Sequence, residues 1–283
     1  MQFSRLTPEQ REFFDANGYL IIPDALDQQT IDQVATAADR LMDDFAYEGY
    51  YQHRRDGLVQ DPTLAKLATN SAIIPLVIQL LGTHIHITNT ALIYKHPQPA
   101  DDPGDCTWHR DVGVHLDLGH VHLPRVGLKV GYCLTDMDGP HTGATLFAPG
   151  SNRLAEPIVI PKDQIHPAEY LEPRLKAGDA FLFESHIYHG AEINSQNHVS
   201  KVAMFGYHYC WVRPDYYLRY YADEVQPSAA VVANLDDVGR QLLGATADAQ
   251  GREAPNGIDW AIAEWAAEHG LSLERAPQRI DAV

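Results

Sequence analysis

The chain has 283 residues, of which 45% are hydrophobic and 21% charged. That balance suits one globular unit with a buried core and excludes a disordered or fibrous chain. The formal charge of -17 at pH 7 opposes nucleic acid and anionic membranes as partners, and a polyanionic substrate would need a local basic patch. The opening MQFSRLTPEQ lacks an apolar run behind a basic start, and no stretch nears ~20 uninterrupted apolar residues, so neither a signal peptide nor a membrane span is expected. Cys106, Cys133 and Cys210 are scattered and form no C-x-x-C pair. This argues against a disulfide framework or a cysteine zinc site and for a reducing cytoplasm.

The first element is predicted as a helix. Thr7 caps it, Pro8 suits its first turn, Gln10 stands where a capping-box partner belongs, and Gly18 is its stop. Phe13 and Phe14 form its expected apolar face. Tyr19 to Pro23 is predicted as a short strand. A second helix follows Asp27, with Ile31, Val34, Ala38, Leu41 and Phe45 at helical spacing. Asp61-Pro62 opens a third helix, and a further apolar helix runs from about Ile73 to Leu81, closed by Gly82. From His84 the texture becomes strand-like. Strands are predicted at His84 to Tyr94, Gly127 to Thr135, Gly143 to Ala148, Glu156 to Ile160, Ala180 to Phe183 and Val199 to Val212. Helices followed by a run of strands predict an α+β fold whose strands form a sandwich or barrel. Beyond Trp211 come an aromatic segment, Tyr216 to Tyr221, and two predicted helices around Leu235 to Leu243 and Ile258 to His269. Tyr132, Phe147 and Phe205 are expected in the core, Trp108 beside the site, and Trp260 and Trp265 as anchors of the last helix. The segment from Trp211 to Tyr221 is expected to pack, to cover the site in part, or to form a homo-oligomer contact.

The feature that carries chemistry is Trp108-His109-Arg110-Asp111. In extended chain, residues two apart point to the same side, so His109 and Asp111 face one way. A distant histidine would complete a set of two imidazoles and one carboxylate, which leaves metal positions open for a bidentate co-substrate and O2. His189, after the apolar strand Ala180 to Phe183, is the candidate, and His186 competes with it. His115, His120 and His122 lie just past the first pair and are read as entrance or solvated residues. The triplet His-Arg-Asp also occurs in kinases, but no Gly-rich phosphate loop precedes it and no Asp-Phe-Gly follows.

In this order the residues resemble the phytanoyl-CoA dioxygenase-like family of iron(II)/2-oxoglutarate oxygenases. The likeness rests on Leu6 to Gln10 with Asn17-Gly18-Tyr19, on Asp61-Pro62 through Gly82, and on Lys95-His96-Pro97 before the His-Arg-Asp triplet. It continues in Leu134-Thr135-Asp136, Gly143 to Leu146, Pro149 to Asn152, Gly178-Asp179 and His189-Gly190 with Asn194. It spans about residues 6 to 212. The resemblance implies a double-stranded β-helix (jelly-roll) core, with helices over 6–82 and the jelly roll over 84–212. Residues 213–283 are then a helical extension of the same domain. It also implies Fe(II) held by His109, Asp111 and His189, with 2-oxoglutarate and O2 as co-substrates and succinate and CO2 as products. The substrate is expected to be a small molecule, such as a secondary metabolite, and hydroxylation is the default outcome. Desaturation, epimerisation and ring closure use the same centre. Related halogenases carry a small residue at the carboxylate position, so Asp111 argues against halogenation.

One position departs from the family. An arginine about eleven residues after the distal histidine usually pairs with the far carboxylate of 2-oxoglutarate; here that position is Ser200, followed by Lys201. Lysine supplies charge but not the planar fork of arginine. A bulge would turn Lys201 inward; Lys129 is the alternative anchor, ahead of Arg213 and Arg125. The departure also leaves room for a different class of protein, a jelly roll that binds a metal or small molecule without turnover.

Overall fold

The computed structural model describes residues 4–99, 102, 106–111, 125–154, 156–212, 227–244 and 260–271. His115, His120, His122, Arg213, the tyrosines from Tyr216 to Tyr221 and the side chain of Trp260 lie outside the described residues.

Helix α1 (Pro8–Asn17) begins with the anticipated capping box. The Gln10 amide donates to Thr7 Oγ1 at 3.1 Å, and the Thr7 amide donates to Gln10 Oε1 at 3.0 Å. Gly18 ends it at φ 80°, a left-handed turn that glycine adopts without a side-chain penalty. Of the two phenylalanines only Phe14 is buried. Phe13 is exposed and meets the Tyr19 ring edge-on, so the expected two-residue apolar face is corrected to one residue. Strand β1 (Tyr19–Ile22) and helix α2 (Gln28–Met42) follow, with the Asp27 carboxylate accepting from the Thr30 amide. Next come β2 (Tyr51–Arg54), α3 (Pro62–Ala65) and α4 (Ile74–Leu81). The sequence did not announce β2.

The strands are β3 (Ile85–Lys95), β4 (Gly127–Cys133), β5 (Thr145–Phe147), β6 (Ala180–Glu184), β7 (His189–Ala191) and β8 (Ser200–Tyr209). Helices α5 (Ala229–Asn234), α6 (Asp237–Leu242) and α7 (Trp260–Glu268) end the described chain. Glu156 to Ile160 is not a strand. Pro157 and Pro161 remove two ladder donors around it, and Val159 is 81% exposed.

Among the described residues β1-β6-β4-β8-β3-β2 form one antiparallel sheet, and β5 pairs with β7 in a second. Isolated bridges His109↔His189, Thr142↔Asn194 and Phe147↔Leu171 extend the second sheet. The jelly-roll class of α+β fold expected from the resemblance is therefore present, with helices covering one side of the larger sheet.

Strand alternation divides the core in two. On the helical side, Val130, Tyr132, Leu182, Ala203, Phe205 and Tyr207 pack against the helices. Tyr132 and Tyr207 donate their hydroxyls to the carbonyls of Leu67 and Ala68, at 2.9 and 2.8 Å, so these buried polar tips are satisfied. On the inner side, Ala91, Cys133, Phe147, Phe181, Phe183, Val202 and Met204 pack between the two sheets. Tyr132, Phe147 and Phe205 are thus core residues. Trp265 of α7 packs partly buried on the helical-side core. No single described helix is long and apolar enough to cross a membrane.

Candidate active site

The chain after Cys106 crosses the second sheet at β7. His109 and His189 exchange backbone hydrogen bonds of 2.9 and 3.0 Å, which sets their imidazoles side by side with ring centroids 4.3 Å apart. Gly190 makes this crossing possible, because a Cβ there would meet Cys106 Sγ at 2.6 Å. Arg110 points the other way. It donates to the carbonyls of Ser151 and Leu154, at 2.8 and 2.6 Å, and lies over the Tyr188 ring. Trp108 is held by a hydrogen bond to His166 Nδ1 and by edge contacts with His166 and Tyr170. The residues either side of His109 thus fasten the motif to the outer wall, and His109 and Asp111 project inward together.

The two imidazoles carry matching constraints. His109 Nδ1 lies 2.7 Å from the Thr107 carbonyl and His189 Nδ1 lies 3.1 Å from the Ile187 carbonyl. A carbonyl only accepts, so in each neutral ring the proton sits on Nδ1 and the Nε2 lone pair is left bare. Both Nε2 atoms face the same carboxylate, His109 at 3.9 Å from Asp111 Oδ1 and His189 at 3.7 Å from Asp111 Oδ2. The three ligand atoms lie within 4.8 Å of one another.

Lys129 on β4 donates to Asp111 Oδ1 at 2.6 Å. Burial alone would raise the Asp111 carboxyl, but the charges of Lys129, His189 and His109 outweigh it and hold the group down to about 2. Burial pushes His189 down to about 4 despite Asp111 beside it. At neutral pH Asp111 is therefore anionic and His189 neutral, the forms that bind metal. Asp111 Oδ2 is buried and makes no hydrogen bond. An unsatisfied anionic oxygen facing an imidazole lone pair is costly when buried and would be satisfied by a divalent cation. The donor set, two nitrogens and one carboxylate, is that of a non-haem iron centre.

These residues open onto a cavity of about 500 Å³. Of the expected co-substrate anchors among the described residues, Lys129 lines it, and Ser200, Lys201 and Arg125 do not. Lys201 is corrected: no bulge turns it inward, and its ammonium is on the helical side of β8, 2.6 Å from Asp39 Oδ1 and over the Tyr94 ring. The Ser200 hydroxyl is engaged by the Thr142 carbonyl. Arg125 pairs with Asp15 and Glu184. His186, the competing histidine, is buried outside the cavity lining.

Residues that sequence reasoning missed also line the cavity, chiefly His53, Arg55, Asn89 and His208. His53 is pushed down to about 4 by burial and by the charges of Arg55 and Lys129. His208 lies across Gly127, where a Cβ would meet its ring at 2.1 Å. Its nitrogens contact Thr88 Oγ1 at 2.7 Å and Ser185 Oγ at 3.0 Å. Alternation along the predicted strand Val199 to Val212 was the available signal for His208, since it shares a face with Met204. No such signal marked His53 and Arg55, which sit on or beside the unannounced β2.

Residues 14–202 match the model of the phytanoyl-CoA dioxygenase family. An ectoine dioxygenase of Sphingopyxis alaskensis is 22% identical over 224 residues, covering 67% of this chain and 71% of that protein. Two solved structures share the fold. HygX from Streptomyces hygroscopicus, with nickel, 2-oxoglutarate and hygromycin B bound, superposes with a TM-score of 0.60 at 18% identity, over 74% of this chain and 89% of that one. The epimerase SnoN, in complex with Fe3+, alpha ketoglutarate and nogalamycin RO, gives 0.57 at 19% identity, over 72% and 84%.

Fold and site together define a metal-dependent oxygenase of the jelly-roll class. The chain belongs to the phytanoyl-CoA dioxygenase family. It is an iron- and 2-oxoglutarate-dependent dioxygenase, which sets aside the reading as a binding module without turnover.

Proposed function

We propose that the chain hydroxylates a small molecule of secondary metabolism, with iron held by His109 Nε2, the Asp111 carboxylate and His189 Nε2, and with Lys129 anchoring the far carboxylate of 2-oxoglutarate. One observation carries the ligand assignment: buried Asp111 Oδ2 has no hydrogen bond and faces a bare imidazole nitrogen. Bound iron supplies the centre at which O2 is activated at the expense of 2-oxoglutarate, which leaves as succinate and CO2. The protein's own part is to orient and to exclude. The Thr107 and Ile187 carbonyls fix both ring tautomers. Lys129 keeps Asp111 ionised and places a cation inside the cavity. Ala91, Ile93 and Met204 supply apolar wall, which limits water around a reactive centre.

Asp111 in place supports hydroxylation over halogenation. The place in secondary metabolism rests on likeness to HygX, which binds hygromycin B, and to SnoN, from nogalamycin biosynthesis. The net charge of -17 supports a protein that binds neither nucleic acid nor an anionic membrane, and the scattered cysteines support a cytoplasmic one. The test is anaerobic addition of iron(II) and 2-oxoglutarate, read as a weak visible charge-transfer band, followed by air, a panel of candidate metabolites and assay of succinate and of hydroxylated product. The band should form in the wild type and vanish in His189→Ala, which removes an imidazole donor. A band of equal strength in that variant would overturn the ligand assignment.

A further inference from the structure

A second cluster of metal-ligating side chains lies outside the cavity. Three residues past His189, Glu192 is 1% exposed. Its Oε1 accepts the Ile193 amide at 2.8 Å and lies 3.4 Å from His141 Nδ1. Its Oε2 is buried and has no hydrogen bond. Glu172 completes the group, with one ligand atom from each of His141, Glu172 and Glu192 lying within 4.8 Å of the other two. None of the three lines the cavity, and none belongs to the motif that defines it.

A buried carboxylate oxygen without a partner is uncommon and costs free energy. Two nearby side chains fail to satisfy it. His166 Nε2 is 3.7 Å from Oε2, beyond a hydrogen bond. The Trp108 indole donates to His166 Nδ1, so the neutral ring carries its proton on Nε2 and turns a donor, not a lone pair, toward Glu192. Lys95 feels the charge of Glu192 but makes no hydrogen bond to Oε2. Two carboxylates therefore converge with one imidazole nitrogen, and His141 is half exposed at the outer edge, which gives an ion a path from solvent. His141 also has φ 53°, a conformation that non-glycine residues adopt at a cost.

We propose that His141 Nδ1, Glu172 and Glu192 bind a second divalent transition-metal ion, with zinc as the fitting probe and a solvent water completing four-coordination. The ion is structural. It ties the loop after β4, through His141, to the segment before β6, through Glu172, and to the chain leaving β7, through Glu192. His166 and Trp108 connect this clamp to His109, so the ion stiffens the wall that carries both imidazoles of the cavity.

The test removes the first site while keeping the fold. His109→Ala/His189→Ala deletes both cavity imidazoles and leaves the Asp111–Lys129 pair intact. Calorimetric titration of this double variant with zinc should find one ion per chain with Kd below ~10 µM, together with a rise in thermal midpoint. Adding Glu192→Gln should weaken binding at least ~tenfold and remove the thermal shift. His141→Ala changes a half-exposed residue, so it serves if the glutamine variant fails to fold, and it should weaken binding as well. Absence of zinc binding in the double variant would overturn the proposal, as would binding that survives both substitutions. Neither result bears on iron at the first site, which this background lacks.

Discussion

The two faces of the larger sheet are made from the same strands and do opposite things. The helical face of β8 shows Ala203, Phe205 and Tyr207, all buried in a dry core. The cavity-facing residues one step away include Met204 and His208, and the neighbouring strands add Lys129, Asn89 and Ala91. One face is closed by packing; the other keeps a cavity and concentrates histidines and cations in a chain whose net charge is -17. The period of two that makes a strand amphipathic lets one stretch of chain be core on one side and active site on the other.

The largest effect should come from the wet face. His189→Ala removes one of the three proposed metal donors and leaves Asp111 facing a single imidazole. Succinate formation coupled to substrate should fall by ~1000-fold or more, while thermal stability without metal changes little. Activity within tenfold of wild type would remove His189 from the site and return His186 to consideration. The dry face should respond the other way. Phe205→Ala opens a void among Tyr132, Tyr207 and the helices and should cost ~3–5 kcal/mol in denaturant unfolding, with affinity for 2-oxoglutarate unchanged at temperatures where the variant stays folded. Loss of that affinity in the folded variant would show that the two faces are coupled, not merely adjacent.

Acid should act mainly through buried histidines. Burial pushes His186 and His208 down to about 4, with Arg110 adding to the effect at His186. An unfolded histidine titrates near ~6.5. Between these values the unfolded chain takes protons that the folded chain refuses, so stability falls as pH drops from about 6.5 to about 4. Denaturant midpoints of the metal-free protein across that range should show the decline, and His208→Asn should flatten it. A midpoint that stays level down to pH 4 would mean that these rings are charged and solvated in the folded state.

How far the site could be read from the chain follows the same parity. His109 and Asp111 were legible because two-residue spacing fixes a shared side whatever the register, and the ordered motifs singled out His189. The capping box of α1 was legible because its hydrogen bonds are local. The side taken by Lys201 was not, because inward or outward placement at positions 200 and 201 depends on whether β8 carries a bulge. It runs regularly opposite β4, and the irregularity falls instead in β3, between Ile87 and Asn89. β2 escaped notice because Tyr51-Gln52-His53-Arg54 has no apolar alternation. Its pairing to β3 is supplied by tertiary contact, and Arg55 and His53 came to the cavity with it. Glu156 to Ile160 misled in the opposite sense: it has apolar residues for a strand and pairs with no strand among the described residues.

The finest test of the two-face picture compares two lysines on neighbouring strands. Lys129 and Lys201 each hold an aspartate at 2.6 Å, Asp111 and Asp39 respectively. Side chains of similar size and the same charge thus differ chiefly in the face they occupy. Lys129→Met should weaken 2-oxoglutarate binding to the iron-loaded enzyme by ~tenfold or more, because a charge-assisted contact in a partly dry cavity is lost. Lys201→Met should change it less than ~twofold and cost little stability, since the Asp39 partner is well exposed and solvent screens the pair. Anaerobic titration of the charge-transfer band reads the affinity without turnover, which separates co-substrate binding from any change in chemistry. If the band of Lys129→Met fails even at saturating 2-oxoglutarate while iron is still bound, the lysine acts through Asp111 instead of on the co-substrate. If Lys201→Met shows the larger loss, β8 has turned its other face inward in the loaded enzyme, and the division between dry and wet faces drawn from its alternation does not hold at that end of the strand.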